Sequence, residues 1–363
     1  MTAVKLTPGE VLNHRYRLER LLGEGGMGQV FLSLDLESGE PVALKTLEPP
    51  LADADRRRFE REIRTLKTLD HPNIVSFRDV GRWNGSLFYT MEYYRGTTLE
   101  EVLRARGRVS SAEELDWYLQ ITIQIAEALD YLHKRRLVHR DIKPSNILLR
   151  AADSETNPEA AEWVKLKKVR AGLADFGLVK VRDSDRPLTS TALGTPQYMS
   201  PEQVEASPAV DERSDLYSLG VILYRTVTGE LPYARLSELL SRKPAASVRE
   251  HNREMIPELL AESVHKLLEF EPYRRPAGAS ELIETLHAVL ERKTRLELGE
   301  PVISKVAQPA FCGRQKELQL LKSVAARAAQ GTGHWVSICG ELGTGKTWLV
   351  SRSDFKTHAA VTH

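Results

Sequence analysis

The sequence predicts an α+β protein in two lobes, a small β-rich N-lobe with one helix and a larger helical C-lobe, followed by a C-terminal α/β fragment. Three observations carry this expectation. Up to Tyr93 the apolar residues fall in short β-prone runs, broken once by a helical stretch. From Leu99 onward they recur at spacings of three and four, the signature of helices with one buried face. The composition, 41% hydrophobic against 28% charged, supplies enough apolar surface for a core and excludes a disordered chain.

The elements follow in order. Tyr16–Leu22, Gln29–Asp35 and Pro41–Leu47 are short, β-prone segments bounded by Gly or Pro and read as strands. Phe59, Ile63, Leu66 and Leu69 then share one face of a helix between Asp53 and Leu69, which His71 and Pro72 end. Asn73–Val80 and Leu87–Tyr93 read as two further strands. Leu115, Leu119, Ile123, Ala126, Leu129 and Leu132 form an apolar stripe that predicts a buried core helix. Helical periodicity returns over Ser214–Thr228, Ile256–Phe270 and Ser280–Leu290. Between them, Ile147–Arg150 and Val164–Val169 are strand-like, and the acidic, small-residue stretch Ala151–Ala161 reads as a long exposed loop. These readings divide the chain into a domain over 16–290 (N-lobe 16–91, crossover 92–96, C-lobe 97–290), a linker over 291–310 marked by Pro301 and Pro309, and an incomplete unit over 311–363.

Charge and cysteine content exclude several function classes. Lys and Arg total 51 against 50 Asp and Glu, so the chain lacks the cationic excess of a nucleic-acid or polybasic membrane binder, and neither partner is expected. Two cysteines, Cys312 and Cys339, are too few for a disulfide framework. Met1–Glu10 carries no apolar signal core. The longest apolar run, Leu216–Val227, is interrupted by Ser218, Gly220 and Arg225 and falls short of the roughly 20 residues that span a bilayer. The expected compartment is the cytoplasm.

Gly23-Glu24-Gly25-Gly26-Met27-Gly28-Gln29-Val30 is a glycine-rich turn between two strands, where backbone amides can approach phosphates with no Cβ in the way. A dinucleotide-binding turn would lead from a strand into a helix, which this one does not. Val42-Ala43-Leu44-Lys45 follows on the next strand, then His139-Arg140-Asp141-Ile142-Lys143-Pro144-Ser145-Asn146, Asp175-Phe176-Gly177 and Ser200-Pro201-Glu202. In type and order these segments resemble the eukaryotic-type protein kinases, and Gly194-Thr195-Pro196 is similar to the bacterial serine/threonine (Hanks-type) members. The resemblance covers about Tyr16 to Leu290 and implies the bilobal protein-kinase fold.

It also implies a chemistry. The γ-phosphoryl group of Mg-ATP would pass to protein Ser or Thr hydroxyls, a reaction governed by positioning and electrostatics. The glycine loop (Gly23, Glu24, Gly25, Gly26, Gly28) and Lys45 would hold the phosphates, with Glu62 (Glu60 its competitor) steadying Lys45. Val30 and Ala43 would sandwich adenine, Met91 would be the gatekeeper, and Glu92 to Tyr94 the hinge. Asp141 would orient the substrate hydroxyl and accept its proton, and Lys143 would steady the γ-phosphate. Asn146 and Asp175 would ligate Mg²⁺, for which Mn²⁺ can substitute. His139 and Phe176 resemble packing residues behind the site, Asp215 the acid that braces the catalytic loop, and Glu202–Arg275 a buried ion pair. Arg140 beside Asp141 points to autophosphorylation in the 178–199 loop, with Thr189, Ser190 and Thr191 as the acceptors, and to self-association for that step. The protein substrate stays open.

The segment Gly340-Glu-Leu-Gly343-Thr-Gly345-Lys346-Thr347 fits the phosphate-binding pattern G-x-x-x-x-G-K-[ST]. With Phe311-Cys312-Gly313-Arg314 upstream, it resembles the start of an AAA-type P-loop ATPase domain. No partner strand follows before His363, so 311–363 is expected to be a truncated fragment with little turnover. A rival reading follows from it: a nucleotide-binding regulatory scaffold that conveys its state to the ATPase region. The complete set Lys45, Glu62, Asp141, Asn146 and Asp175 favours the enzyme.

Overall fold

The computed structural model describes residues 6–25, 28–47, 66–151, 158–175, 196–205, 210–250 and 255–297, with a few isolated positions beyond these. The chain divides into two compact units, Met1–Glu300 and Pro301–His363, and every strand and helix named below lies in the first.

Alternation along the first strands builds a two-faced sheet. Six antiparallel strands, β1 (Val11–Leu12), β2 (Tyr16–Gly25), β3 (Gly28–Asp35), β4 (Pro41–Thr46), β5 (Phe77–Trp83) and β6 (Ser86–Glu92), pair in the order β1-β2-β3-β4-β6-β5. Because successive side chains point to opposite faces, Val42, Leu44, Phe31 and Phe88 join Leu12, Tyr16 and Leu18 in a core on one face. Ala43, Tyr89 and Met91 fall on the other and join the main core of the molecule. Asn73–Ser76, expected to be strand, forms a turn instead: Ile74 bridges Leu173, and pairing with β6 begins only at Phe77. Leu66 and Leu69 are buried; the rest of the helix expected over Asp53–Leu69 lies outside the described residues.

After β7 (Thr97–Thr98) the chain turns helical. α1 (Leu99–Arg106) opens with a capping box in which Thr98 and Glu101 satisfy each other's backbone amides. α2 (Ala112–His133) carries the long apolar stripe, with Leu119, Ile125, Ala126, Leu129 and Leu132 fully buried. β8 (Ile147–Ala151) pairs with β7 and with β9 (Val169–Leu173). The expected strand Val164–Val169 is a 3₁₀ turn over Ala160–Lys165, and strand geometry starts at Val169. Trp163 explains the change. Its side chain is fully buried and its indole N–H donates to the Pro158 carbonyl at 3.2 Å, so this end of the segment is docked rather than an exposed loop.

α3 (Pro201–Val204) is a single turn, and α4 (Glu212–Thr228) is buried almost all round, as befits a central helix. α4 stops where Gly229 adopts a left-handed conformation and its N–H returns to Arg225. The short α5 (Leu236–Leu240) and α6 (Glu258–Leu267) precede α7 (Ala279–Glu297), which packs on α2 and α6. α7 runs seven residues past the expected boundary at 290, so 291–297 of the expected linker is helix. No helix among the described residues is long and apolar enough to cross a membrane.

Candidate active site

The β3–β4–β6 register decides which side chains meet. Val30 lies opposite Lys45, Ala43 opposite Met91, and Lys45 opposite Tyr89, all on the sheet face turned toward the larger core. The turn joining β2 to β3 stands at the end of this face. Gly23 has open space where a Cβ would project. Gly28 has φ +126°, and a Cβ there would lie 2.0 Å from the Thr46 carbonyl oxygen. Its glycine identity is thus required by the close approach of β4, whatever the turn binds. Glu24 and Gly25 complete the described part of the turn; Gly26 lies outside it.

The catalytic-loop segment is fixed from beneath by α4. Asp215, buried near its start, accepts from the backbone N–H of His139 through Oδ2 at 2.9 Å and of Arg140 through Oδ1 at 2.8 Å. Its Oδ2 also lies 2.9 Å from His133 Nε2. Arg140 holds a left-handed backbone, φ 65°, and Gln203 donates to its carbonyl at 3.0 Å. A non-glycine residue in that region is strained and persists only where its surroundings over-determine it; three hydrogen bonds do so here.

His139 ties this loop to Asp175. The backbone N–H of Asp141 reaches His139 Nδ1 at 3.3 Å, so Nδ1 accepts, Nε2 carries the proton, and Nε2 donates to the Ala174 carbonyl at 3.2 Å. Burial holds this imidazole below its ordinary pKa and therefore neutral, as the arrangement requires.

Around Asp141 the predicted residues converge. Lys143 Nζ donates to Asp141 Oδ2 at 2.9 Å. Asn146 Nδ2 donates to the Asp141 carbonyl at 2.8 Å and to its Oδ2 at 3.1 Å. The amide nitrogen of Asn146 is spent on Asp141, which leaves its oxygen as the atom able to ligate a cation. The N–H of Ala174 donates to the Asn146 carbonyl at 2.9 Å and brings Asp175 alongside. An amide oxygen and a carboxylate held by adjacent backbone make a hard-oxygen donor set of the kind that suits Mg²⁺, so the residues present fit such an ion. Asp175 has φ 61°, and its Oδ1 accepts from both Lys45 Nζ and the Tyr89 hydroxyl, the latter at 3.2 Å.

At the crossover, Met91 is buried and Glu92 accepts from Arg150 Nη1 at 2.5 Å. The same guanidinium lies 4.6 Å from the Tyr94 ring centroid, and Tyr94 packs over Gly172 on β9. Further away, Glu202 and Arg275 form a bidentate pair at 2.6 and 2.8 Å, with Ser214 also donating to Glu202. Burial pushes the Glu202 carboxyl up, but the hydrogen bonds and charge of Arg275 outweigh it and hold the group below the usual carboxylate value.

Glu62, Thr189, Ser190, Thr191, Gly340, Gly345, Lys346 and Thr347 lie outside the described residues. Sequence reasoning missed Tyr89, Arg150 and Gln203. Only Tyr89 left a signal: it stands two residues before Met91 and so on the same strand face.

Comparison with known proteins agrees with this geometry. The family profile described as "Protein kinase domain" matches residues 16–288. The serine/threonine-protein kinase pkn3 of Myxococcus xanthus is 34% identical over 303 residues, covering 80% of this chain and 52% of its own length. The DNA damage-responsive serine/threonine-protein kinase RqkA of Deinococcus radiodurans is 36% identical over 287 residues, covering 76% and 40% respectively. The chain thus spans about half or less of the length of these curated relatives. Among solved structures, the PknI kinase domain of Mycobacterium tuberculosis superposes with a TM-score of 0.59 at 27% identity, over 78% of this chain and 99% of that one.

Proposed function

From the premise that this chain belongs to the protein kinase domain family and carries a serine/threonine protein kinase domain, we propose that its site transfers the γ-phosphoryl group of Mg-ATP to Ser or Thr hydroxyls of a protein. The observation that carries this reading is the convergence of Lys143 and Asn146 on Asp141, with Asp175 held beside Asn146 through Ala174. Isolated aspartates cap loops; one bound by a lysine and an amide next to a second carboxylate is a prepared site.

Each residue has a physical task. Val30 and Ala43 present the apolar face for adenine, beside Met91 and the crossover Glu92–Tyr94. Lys45 binds the α- and β-phosphates once nucleotide draws it from Asp175, with Glu62 as its ion-pair partner. Asp141 orients the attacking hydroxyl; as the new O–P bond forms and the bond to ADP breaks, the hydroxyl proton passes to Asp141. Lys143 offsets charge on the transferring group. Asn146 and Asp175 would hold the metal, Mg²⁺ or Mn²⁺, which would supply positive charge to offset that of the phosphates.

Regulation by phosphate on Thr189, Ser190 or Thr191 is supported by Arg140, whose buried Nε has no partner among the described residues. Self-association would bring one copy's loop to another's site. For 311–363 the supporting fact is the match of Gly340, Gly345, Lys346 and Thr347 to a phosphate-binding loop.

The test is incubation with labelled ATP and a generic basic protein. Transfer, with phosphate located at 189–191 by mass spectrometry, is expected from the native chain and lost by at least about a hundredfold, roughly 2.7 kcal/mol in the barrier, in Lys45→Met. ATP binding without transfer by the native chain would instead favour the regulatory scaffold.

A further inference from the structure

Tyr89 has no task in the reaction just described, yet its hydroxyl sits 3.2 Å from Asp175 Oδ1. The contact is built in rather than incidental. Tyr89 is the cross-strand partner of Lys45, so the β4–β6 register delivers an ammonium and a phenol side by side. Both reach the same carboxylate oxygen. The Tyr89 ring is 3% exposed and is wedged against Phe77, with centroids 5.3 Å apart and planes inclined by 34°. A ring so packed cannot swing its hydroxyl away without opening the core. A phenol keeps its proton at neutral pH and so meets a carboxylate only as a donor.

We infer that Tyr89 is a positioning residue for the metal: by donating to Oδ1 it fixes the orientation in which Asp175 meets the cation. The two donors on that oxygen divide the work. Lys45 sits on a flexible stem and must leave Asp175 to serve the phosphates. Tyr89, locked by its packing, is the donor that remains while the metal is bound. Partners that orient a ligating carboxylate typically contribute 10- to 100-fold to metal affinity. Leucine or methionine would serve the packing against Phe77 equally well; the hydroxyl is what packing alone leaves unexplained.

The inference rests on the reading of Asp175 as a metal ligand, and the experiment separates the two. Binding of a non-hydrolysable ATP analogue to the full chain is followed by calorimetry at increasing Mg²⁺ and again in EDTA, for the native chain, Tyr89→Phe and Asp175→Asn. In Tyr89→Phe the Mg²⁺ concentration for half-maximal enhancement of binding is expected to rise about tenfold. Its affinity in EDTA and its melting temperature without ligand should remain those of the native chain. An unchanged or lowered Mg²⁺ requirement overturns the inference, as does an equal loss of affinity with and without metal, which would mark Tyr89 as a wall of the pocket only. If Asp175→Asn also leaves the Mg²⁺ requirement unchanged, the metal-ligand reading itself falls. If Asp175→Asn removes the Mg²⁺ response and Tyr89→Phe does not shift it, only the role of Tyr89 falls.

Discussion

His139 works as a neutral ring whose two nitrogens do opposite things, one accepting from the catalytic loop and one donating to the residue before Asp175. Protonation would turn Nδ1 into a donor facing the Asp141 N–H. Because burial lowers its folded pKa below the ordinary imidazole value, the unfolded chain takes up the proton first as pH falls. The contribution of this group to stability is therefore full above about pH 6.5 and declines below it. Replacement by Gln should flatten this acid-side decline in melts recorded between roughly pH 5 and 7; an unaltered slope would show that other groups cause it. Much at this scale was legible beforehand. Asp141, Lys143 and Asn146 lie within one short loop, where a reaction demands fixed residue types at fixed spacing. Arg150 was not legible, and of Tyr89 only its strand face was, because their partners Glu92 and Asp175 are remote in sequence and meet them only through strand pairing and side-chain reach.

Among the elements, α4 shows how little room the packing leaves. A Cβ on Gly220 would stand 2.6 Å from Leu267 Cβ on α6, and Leu267 is fully buried. Alanine would gain about 1 kcal/mol of helix propensity. Against this, overpacking costs about 1–3 kcal/mol, and a Cβ rooted in a neighbouring backbone cannot yield as a side-chain tip can. Gly220→Ala should therefore destabilise the chain by about 1–2 kcal/mol in denaturant titration. A stabilised variant would mean that α6 shifts freely. Element type was readable from periodicity: the stripe Leu115–Leu132 and the run Ser214–Thr228 both became buried helices. Element ends were not. α7 continues to Glu297 because its apolar spacing fades before its hydrogen bonding does. The expected strand Val164–Val169 begins only at Val169, because burial of Trp163 docks the turn before it.

At the scale of the whole molecule, the bilobal division was legible from the change in hydrophobic period, whereas the bonds that join distant parts of the larger lobe were legible only through family resemblance. The Glu202–Arg275 pair is the chief of these, linking the turn α3 to the chain ahead of α7, with Arg275 also donating to the carbonyls of Glu269, Phe270 and Arg213. Removing one member leaves a buried uncompensated charge. Glu202→Ala should cost about 3–5 kcal/mol in chemical unfolding, and a loss below about 1 kcal/mol would class the bridge with surface pairs.

The attachment of the catalytic loop to Asp215 has a consequence for how the molecule fails. The amides of His139 and Arg140 are bonded to a carboxylate on a helix that is buried almost all round. They can come loose only when that helix does, so the loop has no cheap local opening of its own. Warming this protein should not first yield a folded chain with a disordered site. The catalytic loop and the helix that holds it should be lost together on heating.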